Sequence, residues 1–272
     1  VKALENGSVG VLNVAATCAA AGIIVGVVTL TGLGLKFSSI VLGYADSLTQ
    51  GTMNLLALVG VTATKALVHD VKLLYTAIFT SLIVWIVGLA VPVTASYIIC
   101  AVIAAPALIS LGVADYAAHM FIFYYAVLSE VSPPTALSPF AAAAITGGDP
   151  YKTTLQSWKY TMPAFLVPFM FVLDPGGLVL LLMGSFKGLA GASVADIAIV
   201  SVTAMLGIGA LAGGMQGWVL RQTSGLERWL LIIAGLFLVY PRAAFDYIGL
   251  ALLGAVLVMQ KLRKGEVHAA TR

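Results

Sequence analysis

The chain has 272 residues, of which 61% are hydrophobic and only 9% are charged, and its mean hydropathy is +1.05. Soluble domains carry about a quarter charged residues, so this composition excludes a soluble domain and indicates an integral membrane protein. The net charge of +3 is too small and too scattered to indicate a nucleic-acid partner, and we expect none.

Apolar stretches that can span a bilayer, or nearly so, recur along the chain. A helix needs about 20 mostly apolar residues to cross the hydrocarbon core. We therefore predict an all-α, polytopic fold. The predicted spans are 9–33, 73–91, 96–112, 117–146 with a break near 132–134, 154–173, 193–220, 228–240 and 242–260.

The start of the chain lacks the pattern of a signal peptide. Lys2 and Glu5 precede Gly7 and a full-length apolar run, whereas a signal peptide has a short apolar region and a cleavage site. The first residue is Val1 rather than Met. We expect the chain to be the C-terminal part of a longer polypeptide.

The stretch between Lys36 and Lys72 is the hardest to assign. Residues 53–63 are apolar but too short to span a membrane, and several charged residues follow them. We predict an interfacial or hairpin element over 37–63.

The first polar interruption of an apolar stretch lies at 88–96. Pro92 has no N–H, so in a helix it would leave the Gly88 carbonyl without its partner, and Gly88 itself weakens the turn. Unwound backbone at membrane depth persists only where protein or a water-filled cavity covers it. A free carbonyl there can ligate a cation, so the segment predicts an ion or substrate site.

The segment 129–138 repeats this arrangement with two prolines. Pro133 and Pro134 would free the carbonyls of Ser129 and Glu130, and a residue before proline is pushed out of the α region. Oxygen-only ligands suit hard cations such as Na⁺. Further hydroxyl oxygens come from Ser129, Ser132, Thr135 and Ser138.

Two interpretations of these breaks stay open. Proline also merely kinks membrane helices, in which case the chain is an accessory or structural membrane subunit without its own substrate site. The two breaks, however, share a Pro-x-Thr-Ala core, at Pro92–Ala95 and Pro133–Ala136. Broken helices of this kind hold ion and substrate in secondary transporters, so we favour a transport site.

Several glycines have the spacing that lets membrane helices approach closely. This pattern favours helix packing over a functional role. The glycines are Gly22 and Gly26, and the trio Gly209, Gly213 and Gly217.

Catalytic motifs do not appear in the sequence. It contains neither a metal-ligand spacing of His, Asp and Glu, nor a Gly-x-Ser-x-Gly elbow, nor a Walker A loop. We therefore predict that the protein is not an enzyme.

Four segments resemble the large membrane subunit of tripartite ATP-independent periplasmic (TRAP) transporters. They are Thr31–Ser39, Gly88–Tyr97, Phe123–Leu137 and Gly147–Pro150. The chain is most similar to the fused permeases that work with a TAXI-type binding protein. It departs from the family's Gly-Met-Gly-Leu-Pro-Thr-Thr-Ala pattern at residues 90 and 93, where a glycine and a hydroxyl are lost.

The resemblance implies an elevator-type secondary transporter built from two inverted repeats. Residues 1–175 would be the second repeat, with 88–97 as its hairpin tip and 129–138 as its broken helix. Residues 176–260 would add C-terminal transmembrane helices, and 261–272 a cytoplasmic tail.

The resemblance also implies Na⁺ as the coupling ion and an organic acid as the substrate. An anionic substrate agrees with the positive N-terminal ends of the half-helices after Pro92 and Pro134. The predicted Na⁺ site comprises Gly88, Pro92, Thr94, Ser129, Glu130, Ser132 and Thr135. The predicted substrate site comprises Thr94, Ser96, Glu130, Thr135 and Ser138.

The implied partners are a periplasmic TAXI-type binding protein, the N-terminal half of the permease with its small-subunit helices, and the lipid bilayer. The implied location is the inner membrane of a bacterial or archaeal cell. The basic cluster at the end of the chain predicts a cytoplasmic C-terminus, because Lys and Arg are in excess on that side of the membrane; it comprises Lys261, Arg263, Lys264 and Arg272.

Overall fold

The computed structural model describes residues 2–173, 194–240 and 243–262. Within these ranges the chain is helical and contains no β-strand, only an isolated bridge between Trp218 and Gln222. The predicted all-α class is confirmed. The chain divides into two compact units, Val1–Thr154 and Leu155–Arg272.

Unit 1 holds six helices and the start of a seventh among its described residues. The second interruption of the sequence adds a short 3₁₀ turn, Ser129–Val131. The helices are α1 (Lys2–Thr31), α2 (Leu33–Leu58), α3 (Lys65–Gly88), α4 (Val93–Ile109), α5 (Asp115–Leu128), α6 (Leu137–Thr146) and α7 (Pro150–Thr161).

Helices α1 and α2 follow one another across a bend of 75°. Gly32 lies at the bend with a φ of +63°, a left-handed conformation that glycine adopts without steric cost. α2 then continues for 26 residues without interruption. Of the segment 37–63 predicted as an interfacial or hairpin element, residues 37–58 belong to this one helix, so the hairpin alternative is wrong.

Polar residues of α2 do not end the helix because they find partners on α3. The Lys72 ammonium lies 2.7 Å from the Asp46 carboxylate, and the Thr52 and Tyr75 hydroxyls are 2.8 Å apart. Lys72, one of the charged residues that follow the short apolar run 53–63, thus joins α3 to α2 through Asp46.

Local chemistry sets the limits of α3 and α4. The Thr64 side chain caps the start of α3 by accepting the Leu67 N–H at 3.2 Å. α3 ends at Gly88, and Pro92 stands as the N-cap of α4. The predicted break at 88–92 therefore separates two helices joined by a four-residue turn.

The interior of unit 1 is formed mainly by α4 and α5 and is lined by small side chains. Small residues let membrane helices approach closely in the absence of a hydrophobic driving force between them. Only a few large residues, such as Leu108, Phe121 and Ile122, are fully buried. Buried alanines are Ala104, Ala105, Ala107, Ala117, Ala118 and Ala126.

Unit 2 contains the remainder of α7 and four further helices among its described residues. A 3₁₀ turn at Met162–Phe165 interrupts the predicted span 154–173, because Pro163 lacks the N–H that a continuous helix needs. The helices are α8 (Val167–Leu173), α9 (Val194–Gln216), α10 (Gly225–Val239) and α11 (Ala243–Leu262). The predicted domain boundary at 175 and residues 263–272 of the predicted tail lie outside the described residues.

The close helix crossings of unit 2 use other glycines than the predicted trio. Gly209 faces open space, and Gly213 packs closely against Val219 in the turn after α9 and not against another helix. Gly217 lies in that turn with a φ of +81°. A Cβ on Gly207 would lie 2.9 Å from Leu238 Cβ, and a Cβ on Gly235 would lie 2.8 Å from the Gly207 carbonyl oxygen. The face that packs is therefore the one with Gly207.

The predicted spans correspond to helices, although few are long. In the described residues, α3 and the Ala244–Leu262 part of α11 are long and apolar enough to cross a membrane. The bent pair α1–α2 makes a third candidate if it forms one span. α4 and α6 are apolar but shorter.

We expect Gly235→Ala to destabilise the protein and Gly209→Ala not to. The new Cβ at 235 would meet backbone atoms of Gly207 and Leu211 at 2.8 and 2.9 Å, which cannot rotate away, and overpacking costs about 1–3 kcal/mol. Alanine at 209 meets nothing within 4 Å. The measurement is the thermal midpoint of the purified full-length protein in detergent; equal midpoints for the two variants would contradict the crossing.

Candidate functional site

The two breaks of the sequence meet in unit 1. A Cβ placed on Gly88, at the end of α3, would lie 2.7 Å from Ser129 Cβ and 3.4 Å from Ser96 Oγ. Gly88 is therefore in contact with the start of the second break and with the first turns of α4. Three of the predicted site residues, from three helices, come together here.

A hydrogen bond joins α3 to the second break a second time. The Trp85 indole N–H donates to Ser132 Oγ at 2.9 Å, and Ser132 Oγ donates to the Leu128 carbonyl at 2.9 Å. The sequence argument missed Trp85. Its signal was a tryptophan one turn before Gly88 inside an apolar helix, where the indole N–H needs an acceptor.

The three serines at this place are fully buried. Ser96, Ser129 and Ser132 are each 0% exposed, and we call them the serine cluster. Hydroxyl groups at this depth lose water as a partner and need protein, water or a bound ion to replace it. The cluster therefore gathers three buried hydroxyls where the two breaks meet, although unit 1 also buries others, such as Thr49, Thr76 and Thr80.

One member of the serine cluster has an unmet hydrogen-bonding capacity. The Ser96 hydroxyl contacts the Cys100 thiol, a weak hydrogen-bonding group, and has no nitrogen or oxygen partner in the described residues. Ser129 Oγ donates to the Ala126 carbonyl at 2.7 Å, which leaves its lone pairs to accept or to ligate. Ser96 and Ser129 are thus the hydroxyls of the cluster best able to bind something further.

Backbone carbonyls behave differently at the two breaks. Near the first, Leu89 N–H donates to Trp85, and Ala90 and Val91 N–H both donate to Val87. None of these donors reaches the Gly88 carbonyl, and Pro92 has no N–H to offer. The Gly88 carbonyl therefore has no backbone N–H donor among the described residues, as the sequence predicts.

The second break partly covers its own backbone. The Ser132 N–H donates to the Ser129 carbonyl at 3.1 Å, and the Ala136 N–H donates to the Ser132 carbonyl at 3.0 Å. The expectation that Pro133 leaves the Ser129 carbonyl unpaired is therefore corrected: the chain tightens into a 3₁₀ turn that supplies a donor one residue earlier. Ser132 itself is extended, with a φ of −97° and a ψ of 139°, as expected before proline.

The second break also contains a strained residue. Ala136, which precedes α6, has a φ of 38° and is 0% exposed. An alanine in the left-handed region costs about 1–2 kcal/mol, and such strain collects at functional sites. The surrounding packing holds the unwound segment in one conformation.

The remaining predicted residues lie closer to the surface than the serine cluster. Pro92, Thr94 and Ser138 are exposed, and Glu130 and Thr135 are half-buried. The structure thus separates the predicted residues into two sets. The buried set is Gly88 with the serine cluster, and the surface set is the five residues just named. Thr94 and Ser138 are each the second residue of a helix, α4 and α6, whose N-cap residue makes no side-chain hydrogen bond.

The ligands that the buried set offers are neutral oxygens. Within the described residues, no three His, Cys, Asp or Glu side chains come together in a way that could hold a metal ion. Hydroxyl and carbonyl oxygens suit hard cations rather than the transition metals that prefer nitrogen and sulfur. The arrangement can bind a small alkali cation.

The chain matches a known family of membrane transport components. The family model described as tripartite ATP-independent periplasmic transporter, DctM component, matches residues 1–183. No curated protein and no solved structure matches the chain. The matched residues include both breaks and the serine cluster, and α9, α10 and α11 lie beyond them.

We expect Gly88→Ala to destabilise unit 1 through a collision with Ser129. The added Cβ would meet Ser129 Cβ at 2.7 Å, and relieving such overpacking costs about 1–3 kcal/mol. Gly22→Ala, where nothing lies within 4 Å, is the matched control. The measurement is the thermal midpoint of the purified full-length protein.

The same experiment is completed by a double variant. Ser129→Gly removes the obstructing atoms, so it should rescue most of the loss caused by Gly88→Ala, beyond the sum of the two single effects. Strictly additive losses would show that Gly88 and Ser129 do not touch.

Proposed function

This chain belongs to the DctM family of membrane permease components of tripartite ATP-independent periplasmic transporters, and we propose that its serine cluster binds the Na⁺ ion that drives uptake of an organic acid. Membership makes the protein a transport component rather than an enzyme. It also implies a periplasmic binding protein and further permease subunits as partners. We propose that the binding protein is of the TAXI type and that the membrane is the inner membrane of a bacterial or archaeal cell.

The observation that carries this proposal is the convergence of Gly88, Ser96 and Ser129 at the two breaks. The first interruption supplies the Gly88 carbonyl, which has no backbone donor, and the Ser96 hydroxyl, which has no nitrogen or oxygen partner in the described residues. The second interruption, far away in the sequence, places Ser129 against Gly88. Proline kinks alone do not require the two interruptions to meet. A bound cation would satisfy the oxygens that the fold leaves buried here.

The neutrality of the cluster favours a monovalent cation. Sites for Ca²⁺ and Mg²⁺ use one or more carboxylates to offset the charge of the ion, and none lies in the serine cluster. Glu130 is half-buried and adjacent to Ser129 in the sequence, and we place it beside the ion site and outside the serine cluster. The family resemblance of the sequence supports Na⁺ as the ion.

The surface set supports an anionic substrate. Helices α4 and α6 begin beside the breaks without a side-chain cap, so their first N–H groups are available to an anion. Thr94 and Ser138 each place an exposed hydroxyl in the first turn of one of these helices. We propose that Thr94, Thr135 and Ser138 hydrogen-bond a substrate carboxylate, while Ser96 and Glu130 belong to the ion side of the site.

We expect uptake by the reconstituted full-length permease to require a sodium gradient. The assay follows the radiolabelled acid that co-purifies with the cognate binding protein, in vesicles with Na⁺ or K⁺ outside. Transport of the acid in the Na⁺ vesicles alone supports the proposal. Undiminished uptake with K⁺ alone, or uptake driven only by a proton gradient, contradicts it.

A variant of the serine cluster and a control serine variant test whether the sodium requirement arises at the cluster. Ser96→Ala should raise the Na⁺ concentration for half-maximal uptake about tenfold, because losing a buried polar partner costs on the order of 1–2 kcal/mol. Ser110→Ala, at the other end of α4 and already bonded to the Ala107 carbonyl at 2.9 Å, should leave it unchanged. An equal effect of both variants would place the ion elsewhere.

We expect the double variant Pro133→Ala/Pro134→Ala to abolish uptake while the protein stays folded. Two restored N–H groups let the helix continue through the second break, which removes the unwound backbone that shapes the site. Pro106→Ala, near the C-terminal end of α4 and away from both breaks, serves as the matched control and should transport normally. Intact uptake in the double variant would show that the break is only a kink and would favour the accessory interpretation.

A further inference from the structure

Positive charge gathers at one end of unit 2. The turn between α9 and α10 lies beside the C-terminal end of α11, because the Leu220 N–H donates to Gln260 Oε1 at 3.2 Å. The C-terminal part of α7 lies at the same end, since Gln216 Nε2 donates to the Lys159 carbonyl at 3.2 Å. We call this the basic end, and its described basic residues are Lys159, Arg221, Arg228 and Lys261.

Glu227, the one acid among the described residues of the basic end, is already engaged. Glu227 is 4% exposed, accepts the Ser224 N–H at 2.7 Å and accepts from Gln260 Nε2 at 3.4 Å. The other acids in the described part of unit 2, Asp196 and Asp246, lie in the first turns of α9 and α11, at the opposite end of these helices. The basic end therefore carries a clear excess of positive charge.

The turn that carries Arg221 is held rigidly. Gln260, which is 2% exposed, ties the turn to α11, and the Thr223 N–H donates to the Gly217 carbonyl at 2.9 Å. Arg228 caps the C-terminal carbonyls of α9, donating to Gly214 at 3.1 Å and Met215 at 3.2 Å. These bonds fix the conformation of the turn that carries Arg221.

Large amphipathic side chains surround these charges. Trp218 is 60% exposed and Trp229 is 68% exposed, and both stand within a few residues of an exposed arginine. Exposed tryptophans mark the level of the lipid headgroups, where the ring packs on acyl chains and the indole N–H meets polar groups.

From these observations we propose that the basic end of unit 2 is a binding surface for anionic phospholipid headgroups of the cytoplasmic leaflet. Arg221 and Lys261 contact the phosphate, and Trp218 and Trp229 pack against the upper acyl chains. The excess of basic residues places this end on the cytoplasmic side, where the membrane surface is negative. The proposal is independent of the sodium site, which lies in unit 1.

The test uses the purified full-length permease, stripped of lipid in detergent and titrated with phosphatidylglycerol or phosphatidylcholine, with bound lipid counted by native mass spectrometry. The wild-type protein should retain phosphatidylglycerol preferentially. Arg221→Gln/Lys261→Gln should weaken that binding about 25-fold, since one basic residue near an anionic surface contributes roughly fivefold.

The matched control removes the same charge elsewhere. Lys36→Gln/Lys65→Gln neutralises two exposed lysines of unit 1 and should leave phosphatidylglycerol binding unchanged. Gln260→Leu, which releases the turn but keeps every charge, should weaken binding several-fold. Equal affinity of the wild type for the two lipids, or equal losses in the unit 1 and unit 2 double variants, would overturn the proposal.

Discussion

Unit 1 depends on one constraint, that backbone groups within a membrane must find partners inside the protein. The chain interrupts two helices in this unit, and each interruption frees groups that water cannot reach. The contact of Gly88 with Ser129 and Ser96 covers both interruptions at once. Because only a residue without a side chain fits there, the packing of α3 on α5 and the geometry of the candidate site rest on the same contact.

Close glycine contacts have different consequences in the two units. In unit 2, Gly207 and Gly235 bring helices together over leucine side chains and backbone, and the contact does nothing beyond packing. In unit 1, Gly88 meets hydroxyl groups instead, and one of them, Ser96, has no nitrogen or oxygen partner in the described residues. A tight glycine crossing indicates a site only where the atoms that it meets are polar and incompletely bonded.

The sequence predicted those features that depend on local chemistry. Pro92, Pro133 and Pro134 remove donors wherever the chain places them, so the ends of α3 and α5 could be foreseen. The rotation of each helix about its axis could not, since it depends on all of its neighbours. Side chains two residues apart on a helix point about 200° apart. Gly209, which the glycine spacing favoured, therefore faces away from the crossing that Gly207 makes.

The same limit explains the errors in the site and in α2. Thr94 and Ser96 are two positions apart and therefore face opposite ways, so one is exposed and the other fully buried. The bond from Trp85 to Ser132 joins residues 47 positions apart, and no local pattern foretells it. Likewise, Lys72 was one of the charged residues that made the stretch after 53–63 hard to assign, because its partner, Asp46, lies on the preceding helix.

Neutral ligands have a consequence for how the proposed sodium site works. A site built from carbonyl and hydroxyl oxygens gains less from each ion than one with a buried carboxylate, because the ion's lost hydration is replaced by dipoles alone. Weak binding is what a coupling ion needs, since it must leave on the side of low concentration in each cycle. The strained Ala136 and the packed serines keep these dipoles in place before the ion arrives. Such preorganisation lets weak ligands remain selective, because little reorganisation is required when the ion enters.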